Sequence, residues 1–251
     1  MCCFEGKTAL VTGAASGIGA ACARDLCARG LSRLILVDRD EQALAALETG
    51  CETLRHHGDV ADPALWRTVA ASLDGLDFAV LNAGRADGAP IVDLAPEEWR
   101  KVLSTNLDGA FLSLQAAMRA MQGTGGSIVL TASVSAIKAQ PGTAAYAASK
   151  AGVVQLAKVA ACEGAPKGIR VNAVAPGGVD TPIWDGIAIF GDLVREHGSR
   201  EAAIAAMGQM ATPLGRFARS EEIAAQVAFL LSDAAATITG SVLVSDGGYS
   251  L

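Results

Sequence analysis

The sequence has no cysteine pairs at zinc-site spacing. Its three histidines, His56, His57 and His197, form no ligand set, so no protein-bound metal is expected. No apolar run approaches the roughly 18 residues of a membrane span. The opening stretch MCCFEGKTALVTG carries Glu5 and Lys7 straight into a strand and lacks a signal-peptide layout. There is no basic stripe, and the net charge is −6 from 20 basic and 26 acidic residues, so neither nucleic acid nor a membrane is an expected partner. Six cysteines (Cys2, Cys3, Cys22, Cys27, Cys51 and Cys162) are scattered, and Cys2 and Cys3 are adjacent. They read as buried or idle reduced thiols in a cytoplasmic protein.

What is abundant is apolar sequence. Hydrophobic residues make up 51% and charged residues 18% of 251 residues, a balance that favours one packed globular domain over residues 1–251. The runs KTALVTG, RLILVDR, DFAVLNAG, GSIVLTAS, IRVNAVAPG and SVLVSDGG are apolar almost throughout, as strands buried on both faces are, and ETLRHHGD is a weaker strand candidate. Helical patterns fall between them at about 17–29, 40–48, 62–73, 96–121, 145–164 and 220–232. Alternating strands and helices indicate an α/β fold with a doubly wound parallel sheet. The stretch from about 181 to 214 interrupts that rhythm with glycine- and proline-punctuated helical patches. It reads as a substrate lid or as a helical excursion that only packs.

Residues 12–19, Thr-Gly-Ala-Ala-Ser-Gly-Ile-Gly, follow the first strand and open a helix. Gly13 permits the tight turn. Gly17 and Gly19 allow a pyrophosphate close to the backbone, and Ser16 and Ile18 lie within the same loop at the helix N-terminus. Asp38 ends the second strand nineteen residues after Gly19. A carboxylate there suits the ribose hydroxyls of NAD and repels a 2′-phosphate, so NAD is expected in preference to NADP. Arg39 follows and serves either a phosphate or only the solvated surface. Asn82, Ala83 and Gly84 end the fourth strand, where small residues let the chain pass a ligand; alone they would read as a turn.

Tyr146 and Lys150 are four residues apart, about one helical turn, and Ser133 lies thirteen residues before Tyr146. An ammonium beside a phenol favours the phenolate and is expected to lower the tyrosine pKa. A serine hydroxyl can hold an oxygen while the tyrosine gives or takes its proton. The trio suits interconversion of an alcohol and a carbonyl, with the hydride carried by a cofactor.

Thr-Gly-x-x-x-Gly-x-Gly, Asn-Ala-Gly, Ser133, Tyr-x-x-x-Lys and Pro176-Gly177, in this order and spacing, resemble the short-chain dehydrogenase/reductase family over essentially the whole chain. The resemblance implies a Rossmann-type sheet in the order 3-2-1-4-5-6-7. It further implies that Asp59 and Val60 contact the adenine, and that Asn106 holds a water beside the lysine. Tyr146 would be the acid/base, Ser133 would orient the carbonyl, and Lys150 would bind the nicotinamide ribose. Pro176, Gly177, Val179 and Thr181 would hold the carboxamide end. The Asp-Gly-Gly tail implies a homo-oligomer, a tetramer rather than a dimer. Gly178 leaves the backbone unusually open there.

Ser135, Ile137 and Gln140 after the serine, and Trp184, Ile187, Phe190, Met207 and Met210 in the 181–214 stretch, are candidate substrate contacts; the latter group equally suits a core for that stretch. Their character favours a hydrophobic secondary alcohol or ketone, cyclic or aryl. A polyol stays open because Asp180 and Asp185 are at hand. The alternatives are a 3-oxoacyl thioester reductase using NADPH, against which Asp38 and the acidic net charge argue, and a non-catalytic dinucleotide sensor, against which Tyr146 and Lys150 argue.

Overall fold

The computed structural model describes residues 4–86 and 88–251, so Cys2 and Cys3 lie outside the described residues. All seven strand candidates form strands of one sheet: β1 (Thr8–Thr12), β2 (Arg33–Asp38), β3 (Glu52–His57), β4 (Phe78–Leu81), β5 (Gly126–Thr131), β6 (Ile169–Pro176) and β7 (Val242–Ser245). They pair in parallel in the order 3-2-1-4-5-6-7. Successive side chains go to opposite faces, which explains the unbroken apolar runs. Leu10, Ile35, Ile128 and Leu130 enter one core, whereas Val11, Leu36 and Val129 enter the other.

The first core is closed by α3 (Pro63–Ala70), α5 (Gly109–Ala120) and α6 (Ala144–Gly164), through Trp66, Leu114 and Val153. The second is closed by α1 (Gly17–Ala28), α2 (Glu41–Ala46) and α9 (Ser220–Leu231), through Leu26, Leu44 and Ile223. Local chemistry fixes several helix starts. The Asp40 and Asp62 carboxylates accept the Ala43 and Ala64 N–H at 2.9 and 2.8 Å, and proline opens α3. β1 pairs with β2 on one side and β4 on the other, so a crevice opens where the strand order reverses, at the carboxyl ends of β1 and β4.

Two expectations need correction. The single helix expected over 96–121 is α4 (Pro96–Leu103) and α5 joined by a π-helical turn at Ser104–Asp108. No glycine or proline marks that turn; it follows from tertiary bonds made by Asn106, described below. Cys27 and Cys51, expected as reduced thiols, form a disulfide with Cα atoms 5.7 Å apart. The crossover from β2 through α2 brings the approach to β3 back beside the end of α1, a proximity that a 24-residue separation does not announce. Cys22 and Cys162 are free, the first buried and the second exposed.

The 181–214 stretch contains a 3₁₀ turn at Pro182–Gly186, α7 (Ala188–His197) and α8 (Arg200–Ala211). It has its own small core of Phe190, Ala203 and Ile204. It is rooted by a two-stranded parallel pairing of Val179–Asp180 with Ala218–Arg219.

Candidate active site

The glycine-rich turn is built by close approach of backbone to backbone. Gly13 has φ +62°, and a Cβ on it would lie 2.7 Å from Ala83 Cα; a Cβ on Gly19 would meet the Gly13 carbonyl oxygen at 2.0 Å. Thr12 Oγ1 accepts the Asn82 and Ala83 N–H at 3.0 and 3.2 Å, and Asn82 Nδ2 donates to the Gly13 carbonyl at 3.2 Å. The ends of β1 and β4 are thereby clamped together. Ser16 is exposed and makes no side-chain cap, so the first N–H groups of α1 face outward, beside Gly17. A helix start with open donors fits an anionic group such as a pyrophosphate. Thr181 stands over this turn: a Cβ on Gly17 would be 3.2 Å from its Cγ2.

Asp38 borders the same turn. Its Oδ2 accepts the Ala15 N–H at 2.8 Å and its Oδ1 the Asp40 N–H at 3.0 Å. Each oxygen keeps a further lone pair, so the carboxylate can also accept from ribose hydroxyls. Asp59 and Val60 follow β3; Asp59 Oδ1 accepts the Ala61 N–H at 2.9 Å, and the buried Val60 gives its carbonyl to Trp66 Nε1 at 2.7 Å. The donor and acceptor set along this crevice fits a dinucleotide.

The reacting trio gathers at the carboxyl end of β5. Ser133 stands close enough to the Tyr146 phenol to favour its ionised form. Ser133 Oγ also accepts the Ser135 N–H at 3.1 Å, which fixes its rotamer. Lys150 is 4% exposed; its ammonium donates to the Thr131 carbonyl at 2.8 Å and lies 5.7 Å from the Tyr146 ring centroid. Burial lowers the Lys150 pKa to about 8. Burial also pushes the Tyr146 phenol above its ordinary value, and Ser133 pulls it partly back. Burial is thus the largest influence on the phenol, and Ser133 is what offsets it.

Asn106 sits in the π-turn, 1% exposed. Its Oδ1 accepts the Arg85 N–H at 2.8 Å, and its Nδ2 donates to the Arg85 carbonyl and to Ser149 Oγ, both at 3.0 Å. Gly84 lies against both polar groups: a Cβ there would be 3.3 Å from Lys150 Nζ and 3.4 Å from Asn106 Oδ1. Gly84, Asn106 and Lys150 thus form one tightly packed corner.

Around the crevice the substrate candidates divide. Phe190 is 3% exposed and belongs to the core of the 181–214 stretch, leaving it little surface for a ligand. Trp184 is half-buried; its indole N–H donates to the Val179 carbonyl at 2.7 Å, and its ring stacks on Phe217 with centroids 5.5 Å apart. Phe217 also explains Gly178, since a Cβ there would fall 2.3 Å from the Phe217 ring. The open backbone is filled by an aromatic ring from the other end of the excursion. Ser135 is half-buried beside Ser133, and the Gln140 amide donates to the Tyr249 phenol oxygen.

Sequence reasoning missed the Thr131 carbonyl, Ser149, Phe217 and Arg200. Arg200 binds Asp180 at 2.6 Å, Asp185 at 3.1 Å and the Thr181 carbonyl at 2.9 Å, tying α8 to the segment over the glycine-rich turn. Only the pair Asp180 and Asp185 was visible beforehand, without the partner that binds both.

Comparison with known proteins gives a consistent picture. A family model described as enoyl-(acyl carrier protein) reductase matches residues 13–250. The chain is 40% identical to cis-4-hydroxycyclohexanecarboxylate dehydrogenase of Sinomonas cyclohexanicum, over 98% of each chain. It is 41% identical to D-threitol dehydrogenase of Mycolicibacterium smegmatis, over 99% of this chain and 94% of the relative. Among solved structures, levodione reductase superposes with a TM-score of 0.87 at 36% identity, covering 98% of both chains.

Proposed function

The chain belongs to the short-chain dehydrogenase/reductase family, and from that premise we propose that it interconverts a secondary alcohol and its ketone, preferentially on an alicyclic ring, with NAD. The observation that carries the reading is the Ser133–Tyr146–Lys150 cluster at the carboxyl end of β5, with Ser133 and Lys150 buried and Tyr146 half-buried, next to the crevice where the strand order reverses. The ring preference is supported by the relatives that act on hydroxycyclohexane carboxylates. NAD is supported by the Asp38 carboxylate at the edge of the glycine-rich turn. Residues 181–214 act as the lid, supported by the Arg200 ties to Asp180 and Thr181. Exposed Phe111 and Val159 on one side, and Phe229 and Val244 on another, support a homotetramer. Among the described residues no helix is long and apolar enough to cross a membrane; the cytoplasm is supported by the dinucleotide requirement alone, since the Cys27–Cys51 disulfide removes the reduced-thiol argument.

In the oxidation direction Tyr146, as phenolate, takes the proton from the substrate hydroxyl. Ser133 donates a hydrogen bond to the same oxygen and holds the carbinol carbon in place. Lys150 keeps a cation one turn from the phenol, and the Thr131 carbonyl fixes where that cation sits. Asn106 holds the Gly84–Arg85 backbone against the lysine. Bound NAD supplies the hydride acceptor and a positive ring. In reduction Tyr146 returns the proton.

The test is absorbance at 340 nm with NAD or NADP against cyclohexanols, linear polyols and a 3-oxoacyl thioester across pH. Because burial places the phenol above its ordinary value, the phenolate fraction and oxidation kcat/KM are expected to rise about tenfold per pH unit below neutrality. The rise is expected to bend near pH 8, where Lys150 loses its proton and the phenolate its cation. Reduction, which needs the phenol, is expected to stay level over that range. Silence toward every alcohol, with NAD still bound, refutes the reading.

A further inference from the structure

The C-terminal residues touch three segments that surround the candidate site. Toward the carboxamide end, the Gly177 N–H donates to the Ser245 carbonyl at 3.0 Å, and a Cβ on Gly177 would lie 2.8 Å from Asp246 Cα. Toward the exit of the 181–214 stretch, the Leu214 N–H donates to the Gly247 carbonyl at 3.1 Å, and a Cβ on Gly248 would lie 2.8 Å from Pro213 Cγ. Toward the loop after Ser133, the Lys138 ammonium donates to the Tyr249 carbonyl and lies 4.1 Å from the centroid of the Tyr249 ring. Gln140 donates to the Tyr249 phenol oxygen.

The tail itself is stiff. Gly247 and Gly248 take the left-handed conformation with φ +63° and +85°, and the Asp246 carboxylate accepts the N–H of Gly248 and Ser250 at 2.9 and 2.8 Å. This turn joins the loop after Ser133 to residues 213–214 at the exit of the 181–214 stretch.

We propose that Tyr249 is a positioning residue for the alcohol. Its side chain holds the loop after Ser133 through Lys138 and Gln140, while the backbone of Gly247 and Gly248 holds residues 212–214, so the tail is a strap across the substrate side of the crevice. It does not touch the reacting atoms. The substrate part of this inference rests on the alcohol–ketone reading; the mechanical part does not. An ammonium over the ring face tolerates loss of the phenol oxygen but not loss of the ring, so Tyr249→Phe and Tyr249→Ala separate the two contacts.

The experiment compares the intact protein with Tyr249→Phe and Tyr249→Ala in alcohol oxidation, NADH titration by fluorescence, and hydrogen exchange. For Tyr249→Ala the KM for a cyclohexanol is expected to rise about tenfold with kcat within about twofold, and the NADH Kd is expected to be unchanged. Tyr249→Phe is expected to restore KM to within about threefold of the parent. Amides at 135–140 are expected to exchange faster in Tyr249→Ala, while those of 212–215, held by the Gly247–Gly248 backbone, and those of α1 do not change. An unchanged KM, or equal rises in KM and NADH Kd, overturns the assignment. If the parent oxidises no alcohol, the functional reading fails by itself, and the strap is then decided by exchange alone: unaltered protection at 135–140 overturns it.

Discussion

Tyr146→Phe is expected to lower kcat about a thousandfold, within the range assigned to a positioned general acid/base, and to leave NADH binding within about twofold of the parent. The substitution removes one oxygen and little else. The Ser149 hydroxyl donates to the Tyr146 backbone carbonyl at 2.7 Å, and Lys150 holds the Thr131 carbonyl, so neither bond depends on the phenol. Ser133 keeps its bond from the Ser135 N–H. The ring still fills its place in the corner, and the fold loses only the contact of the phenol with Ser133, worth at most about 1 kcal/mol. Steady-state rates at 340 nm beside a fluorescence titration with NADH check both halves. Turnover near that of the parent would remove Tyr146 from the chemistry.

Asp38→Ala is expected to raise the ratio of NADP to NAD kcat/KM by one to two orders of magnitude. A carboxylate about 5 Å from a phosphate charge costs about 3 kcal/mol at an effective dielectric of about 20, and solvent reduces that at the crevice edge. Part of the change will be lost NAD affinity, because Asp38 also anchors the Ala15 and Asp40 N–H groups. Asp38→Asn separates the two effects: the amide oxygen can still accept one of those bonds, while the charge is gone. If charge governs the preference, the asparagine variant moves the ratio nearly as far as the alanine variant with a smaller loss on NAD. A ratio unchanged in both variants would take Asp38 out of the ribose site.

The parts of the molecule set by short-range rules were legible in the sequence. Strands buried on both faces must be apolar throughout, which made β1, β2, β4, β5 and β6 legible; the two edge strands are only partly buried, and of these β7 is still apolar while β3, with Arg55, His56 and His57, is not. The glycine-rich turn and the four-residue spacing of Tyr146 and Lys150 are equally local. What was not legible depends on contacts between distant residues. The π-turn follows from Asn106 reaching Arg85 and Ser149, and nothing in Ser104–Asp108 itself breaks a helix. The disulfide joins residues that only the β2–α2 crossover brings together.

Phe190 illustrates a different limit. An aromatic in a presumed lid has the same sequence character whether it faces a ligand or the lid's own core, and only packing separates the two. The Tyr146 phenol shows a third. The sequence displays the cation beside it but not the burial that raises the phenol. Gly178 is explained only by Phe217, thirty-nine residues further along the chain, whose ring lies against it.

Deuterium placed on the carbinol carbon of a cyclohexanol substrate gives the most direct check. Direct hydride transfer at the Ser133–Tyr146–Lys150 cluster requires the label to appear on the nicotinamide ring of the reduced dinucleotide, one atom per ketone formed. Recovery of the label in water, with unlabelled reduced dinucleotide, would contradict it.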